Sequence, residues 1–98
     1  MTKVELREAL VDLGWALDND EHSASRHFRF GSFESAFRFM QAVAIAAEEL
    51  NHHPDWRNCY ADVWITLTTH DMGGLTALDL QLARACHAAS QSLGEHID

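Results

Sequence analysis

Three histidines, His52, His53 and His70, fall within residues 48–79 of this 98-residue chain, together with two carboxylates, Glu48 and Asp79. Imidazole is the side chain whose proton equilibrium lies nearest neutrality, so three in so short a stretch suit proton transfer or metal binding. A carboxylate beside an imidazole fixes its tautomer and orientation. His52-His53 is followed at once by Pro54, and proline disfavours helix at the residue before it. The chain is therefore expected to leave a helix and turn here, so that two consecutive side chains can serve one cavity. Zinc fits the pattern less well, because HExxH and paired Cys/His signatures are missing and adjacent histidines rarely converge on one ion.

The elements that must position these groups follow from pattern. Thr2 with Glu5 forms a capping box, and Leu6, Ala9, Leu10 and Leu13 recur at helical spacing up to Gly14, which predicts a helix over about 3–13. Trp15-Ala16-Leu17 reads as a short strand and Asn19-Asp20-Glu21 as a turn. Arg26 to Phe30 alternates, with Phe28 and Phe30 inward and His27 and Arg29 outward. Ser32 opens a helix from Phe33 to Leu50 with two adjacent apolar stripes. One comprises Phe33, Phe37, Met40, Ala44 and Ala47; the other comprises Ala36, Phe39, Val43, Ala46 and Leu50. That band is wider than the roughly 100° face a surface helix buries, so one stripe can meet the sheet and the other a second subunit. Phe39→Asp is the substitution expected to test such an interface. Glu48, near the end of this helix, is opposed by the macrodipole at about 0.3–1 kcal/mol, and His52, one turn on, is its expected partner.

After Pro54, residues 55–60 lead into a strand, Ala61-Asp62 turns, and Val63 to Thr69 forms a β-branched strand ending at His70. Val63, Ile65, Leu67 and Thr69 share one face; Trp64, Thr66, Thr68 and His70 share the other. Gly73-Gly74 allow positive φ or close approach by a ligand. Thr76 with Asp79 forms a second capping box, and an apolar stripe carries a third helix to about residue 93. His22, His87 and His96 read as ordinary surface histidines. The order α-β-β-α-β-β-α predicts an α+β fold: a four-stranded, mostly antiparallel sheet with three helices packed on one face, in a single domain over 1–98.

The constellation Glu48, His52-His53-Pro54, Tyr60, His70 and Asp79 resembles the signature of the pterin-4a-carbinolamine dehydratases. THDMGGLT (Thr69 to Thr76) and FESAFRFM (Phe33 to Met40) resemble the same family. The likeness is dense from about Phe28 to Ala83 and loose before residue 25. It implies a hydro-lyase, a 4a-hydroxytetrahydrobiopterin dehydratase of tetrahydrobiopterin recycling that yields the quinonoid dihydrobiopterin by histidine acid/base catalysis, with no metal and no other cofactor. His52 and His70 would be the acid/base pair at C4a and N5. His53 would hold the pterin and share proton transfer, and Glu48 and Asp79 would orient the rings. Thr69 and Trp56 would contact substrate, Trp56 being equally suited to the core. Homodimers or homotetramers are implied. The alternative is a non-catalytic or moonlighting dimerisation or assembly module of the same fold, since a fold does not fix a function.

Composition sets the outer bounds. Seven Lys plus Arg against fifteen Asp plus Glu give a net charge of −8, which argues against nucleic acid or anionic membrane as partner. Cys59 and Cys86, with no CxxC, read as two buried reduced thiols rather than a disulfide. No apolar run approaches membrane-spanning length and no secretory h-region is evident, so a soluble cytoplasmic protein is expected.

Overall fold

A computed structural model describes residues 1–96. Its elements run α1 (Lys3–Asp12), β1 (Ala16–Leu17), β2 (Ala24–Arg29), α2 (Phe33–Leu50), β3 (Asp55–Cys59), β4 (Asp62–Leu67) and α3 (Ala77–Ser92), with a 3₁₀ turn over His70–Met72. The four strands form one open sheet in the order β1-β2-β4-β3, and every pairing is antiparallel. The predicted α-β-β-α-β-β-α order and α+β class are what the chain adopts.

Alternation along β4 decides which side of the sheet is covered. Val63, Ile65 and Leu67 are buried beneath the helices, whereas Trp64 and Thr66 lie half-buried on the open face. The register sets Phe28 of β2 opposite Val63, and Trp56 of β3 opposite Ile65, so both rings lie on the helix side. On the open face the stack follows the ladder. His27 lies parallel to Trp64 with ring centroids 4.8 Å apart, and the Arg57 guanidinium sits 3.8 Å from the Trp64 centroid on its other side.

Of the two stripes on α2, the one containing Ala36, Phe39 and Val43 enters the core, joined by Ala47. Phe33 and Phe37 remain 47% exposed and Ile45 63%. Phe39 is fully buried among Phe28 and Phe30, so a charge there would break the fold rather than report on an interface; Phe37 is the informative position. The β3–β4 turn falls at Tyr60-Ala61, one residue earlier than predicted. It is held by the Asn58 amide, which donates to the Tyr60 and Asp62 carbonyls at 3.1 and 3.0 Å. The cysteines differ in environment: Cys59 is exposed, and only Cys86 is buried. Burial pushes the Cys86 thiol up to about 12, so it is a packing group and not a nucleophile. His87 is half-buried rather than a surface residue. Among the described residues no helix is long and apolar enough to cross a membrane.

The end of α2 is the step that delivers the site. Asn51 takes the left-handed conformation (φ 49°, ψ 43°), and the His52 N–H returns to the Ala47 carbonyl at 3.0 Å. This six-to-one closure is the Schellman ending, which wants glycine or asparagine at its left-handed position. A side chain without a local polar group costs about 1–2 kcal/mol there. Asn51→Ala should therefore lower Tm by about 4–8 °C, as expected for about 1 kcal/mol in a domain of this size, while Asn51→Gly should retain the wild-type Tm in a calorimetric scan.

Candidate active site

Asp79 is the fixed point of the site. It occupies the third position of α3, where its carboxylate closes a capping box with Thr76, and it is fully buried. Its Oδ2 accepts the Thr76 backbone N–H at 2.8 Å and the Thr69 hydroxyl at 2.7 Å. Its Oδ1 lies 2.6 Å from Nε2 of His52. A carboxylate can only accept, so Nε2 of His52 is the donor and, in the neutral ring, Nδ1 carries the lone pair. The helix N-terminus adds a favourable field for the negative charge.

His53 is oriented differently. Its Nε2 lies 2.5 Å from Oε2 of Glu48, one turn back on α2. The expected Glu48–His52 pair does not form: Glu48 takes His53, and His52 takes Asp79. The reason is the left-handed Asn51, after which consecutive side chains diverge, one toward α3 and the other back along α2. The two pairs also differ in exposure. The side chains of His52 and Asp79 are 10% and 0% exposed, whereas those of His53 and Glu48 are 56% and 76% exposed.

His70 is exposed and begins the 3₁₀ turn just beyond β4. The turn is pinned at its base, where Thr69 and Gly74 exchange both backbone hydrogen bonds at 3.1 and 3.2 Å. Gly73, at φ 70°, takes the left-handed conformation that ends the 3₁₀ turn, which glycine adopts at no steric cost. A groove beside this turn is lined by His70, Thr68, Gly73, Gly74 and two residues of the β1–β2 loop, His22 and Ser23. Thr69 is buried with its hydroxyl engaged by Asp79 and Thr76, and Trp56 is half-buried against the core. The structure thus joins His52, Asp79 and Thr69 directly, joins His53 to Glu48, and places His70 next in sequence to Thr69. Among the described residues no three His, Cys, Asp or Glu side chains are grouped to hold an ion. His22, read from the sequence as an ordinary surface histidine, lies in an irregular loop where no periodicity assigns a neighbour.

The sequence and the fold have counterparts among known proteins. The sequence profile described as "Pterin 4 alpha carbinolamine dehydratase" matches residues 1–89. A Rhizobium etli protein named as a putative pterin-4-alpha-carbinolamine dehydratase is 54% identical over 77 residues, covering 79% of this chain and 76% of that protein. The pterin-4-alpha-carbinolamine dehydratase of Drosophila melanogaster is 43% identical over 81 residues, covering 83% of this chain and 42% of the fly protein. A Brucella melitensis crystal structure, described as a transcriptional coactivator/pterin dehydratase, superposes with a TM-score of 0.83 at 42% identity, covering 92% of this chain and 97% of that one. A pterin dehydratase-like RuBisCO assembly factor of the alpha-carboxysome shares the fold, with a TM-score of 0.67 at 23% identity over 78% of this chain and 88% of its own. The chain belongs to the pterin 4 alpha carbinolamine dehydratase family.

The two histidine–carboxylate pairs should differ in what they hold together. Asp79→Ala removes the acceptor of one buried and two part-buried donors and should cost at least about 2 kcal/mol in urea denaturation. Glu48→Ala removes an exposed pair and should cost less than about 1 kcal/mol.

Proposed function

We propose that this protein dehydrates 4a-hydroxytetrahydrobiopterin to quinonoid dihydrobiopterin. The C4a–O bond breaks, the departing oxygen takes up a proton and leaves as water, and N5 gives up its proton as the N5=C4a double bond forms. One proton donor and one acceptor on either side of that bond suffice. The reading is supported by one observation: the exposed His53 turns Nε2 to Glu48, so its neutral ring presents Nδ1 as a base. Membership of the dehydratase family supplies the substrate class.

Exposure favours His53 with His70 over the His52/His70 pair that the resemblance implies, since His53 and His70 are open to a flat substrate and His52 is nearly enclosed. In this reading His53, held in one tautomer by Glu48, and His70 exchange the protons. His52 is nearly enclosed and acts with Asp79 and Thr69 to set the angle at which the chain leaves α2. Trp56, half-buried on the helix side, supports the β3 end of the site from beneath. General acid/base steps of this kind contribute about 10²- to 10⁴-fold each.

The exposed side of α2 completes the reading. Phe33 and Phe37 stack with centroids 5.9 Å apart and stand about half exposed, and Ile45 further along the helix is also exposed. That is a surface suited to a second copy of the chain, giving a homodimer or homotetramer.

Two measurements test this. In an ultraviolet assay of carbinolamine dehydration, His53→Ala and His70→Ala should each lower kcat at least about tenfold without shifting Tm, while His87→Ala should not change the rate. Wild-type turnover in both variants would reject the mechanism, and a wild-type protein without turnover would reject the activity. In sedimentation equilibrium, Phe37→Asp should reduce the mass to that of one chain; an unchanged mass would remove α2 from the interface.

A further inference from the structure

His22 stands between two recesses. One is the groove that contains His70. The other is a cavity of about 220 Å³ enclosed by α1, the end of β1 and the turn after His70. His22, Gly73 and Gly74 line both. The His22 ring lies against Gly74, where a Cβ would come within 3.5 Å of its Cδ2. A Cβ there would make only ordinary van der Waals contact with the ring, so the two recesses meet along the His22–Gly74 contact.

The cavity has a mixed wall. Leu6, Leu17 and Met72 supply apolar surface, and Lys3, Arg7, Asp20 and Glu21 supply two charges of each sign. Arg7 and Glu21 bond across it at 3.0 Å. With the charges balanced, the cavity suits a short neutral chain bearing hydroxyls rather than an anion. Pterin chemistry puts such a chain where it is needed. N5, one of the two reacting positions, is bonded to C6, and C6 carries the dihydroxypropyl side chain of biopterin. A ring whose N5 meets His70 must send its C6 substituent into the immediately adjacent space.

We propose that this cavity receives the C6 side chain of the pterin and that His22 is the specificity residue that hydrogen-bonds its hydroxyls. The proposal rests on the dehydratase reading of the His70 groove. The His22 side chain is free to serve because the loop is tied through its backbone: its N–H donates to Oδ1 of Asp18 at 2.7 Å, and its carbonyl accepts from the Thr68 hydroxyl at 2.6 Å. Replacing the ring leaves both bonds in place.

Isothermal titration calorimetry with L-biopterin and with 6-methylpterin, which lacks the hydroxyls, tests this independently of turnover. His22→Ala should raise the Kd for L-biopterin about fivefold, the worth of one hydrogen bond, and should raise that for 6-methylpterin by a clearly smaller factor. His22→Gln, which keeps a donor, should recover most of the discrimination, and His22→Phe should not. An equal rise for both ligands, or none for either, overturns the assignment of His22. A wild-type protein that shows this selectivity but does not dehydrate the carbinolamine upholds the cavity and overturns the dehydratase reading alone. A wild-type protein that binds neither pterin overturns both.

Discussion

The buried carboxylate of Asp79 is the contact on which the site depends. It accepts a hydrogen bond from each of three separate stretches of chain: His52 after α2, Thr69 at the end of β4, and Thr76 at the start of α3. A carboxylate taken out of water is tolerated only when its oxygens are met by donors. Here the requirement fixes the relative positions of three elements at once. The Thr69 hydroxyl also lies 2.8 Å from that of Thr76, which closes the group into a network. Loss of one member leaves the others buried and unpaired, so the network specifies one arrangement of the helix ends against the sheet.

A consecutive pair of histidines can thus do two jobs. In a helix His52 and His53 would lie about 100° apart, and in a strand they would face opposite sides. The left-handed Asn51 provides a third geometry, in which the first ring turns inward to α3 and the second stays outside beside the last turn of α2. Glu48, disfavoured at a helix C-terminus by the macrodipole, is placed where the His53 ring can answer its charge. Each imidazole is aimed by a different element, so a shift of one need not drag the other with it.

Much of this was legible in the sequence, for identifiable reasons. Capping boxes at Thr2 and Thr76, the alternation through Phe28 and Val63, and the apolar spacing of α2 are local signals, and the elements they predict are present. Asp79 was legible as a cap because that role needs only short-range pattern; its orienting role came with the family resemblance, since His52 lies 27 residues away. The partner of Glu48 was not, since a residue one turn away is the natural choice until the left-handed Asn51 is known. The split between the two stripes of α2 was equally out of reach: both are apolar, and only the packing of Phe39 against Phe28 and Phe30 decides which is core. Arg26 is the strongest case. It alternates inward with Phe28, and its charge is answered by a two-oxygen contact at 3.0 and 2.9 Å from Glu95, a partner 69 residues away that no window of sequence reveals.

On the dehydratase reading proposed above, the division between the enclosed His52 and the exposed His53 and His70 also separates stability from chemistry. A group that must exchange protons with a substrate has to be reachable, and an exposed, weakly held ring adds little to folding. A group that holds three chain segments together has to be dry, where its hydrogen bonds are strong and competition from water is small. That dry group is Asp79, with His52 as its nearly enclosed partner, and the exposed His53 is the next residue along the chain. The backbone of the outer residue is anchored one peptide unit from the inner one, while its ring is aimed separately by Glu48; the His70 turn is anchored at Thr69 in the same way. Precise placement of exposed groups thus follows from burial one residue away, which is the arrangement expected when a site is built at the edge of a small core rather than within it.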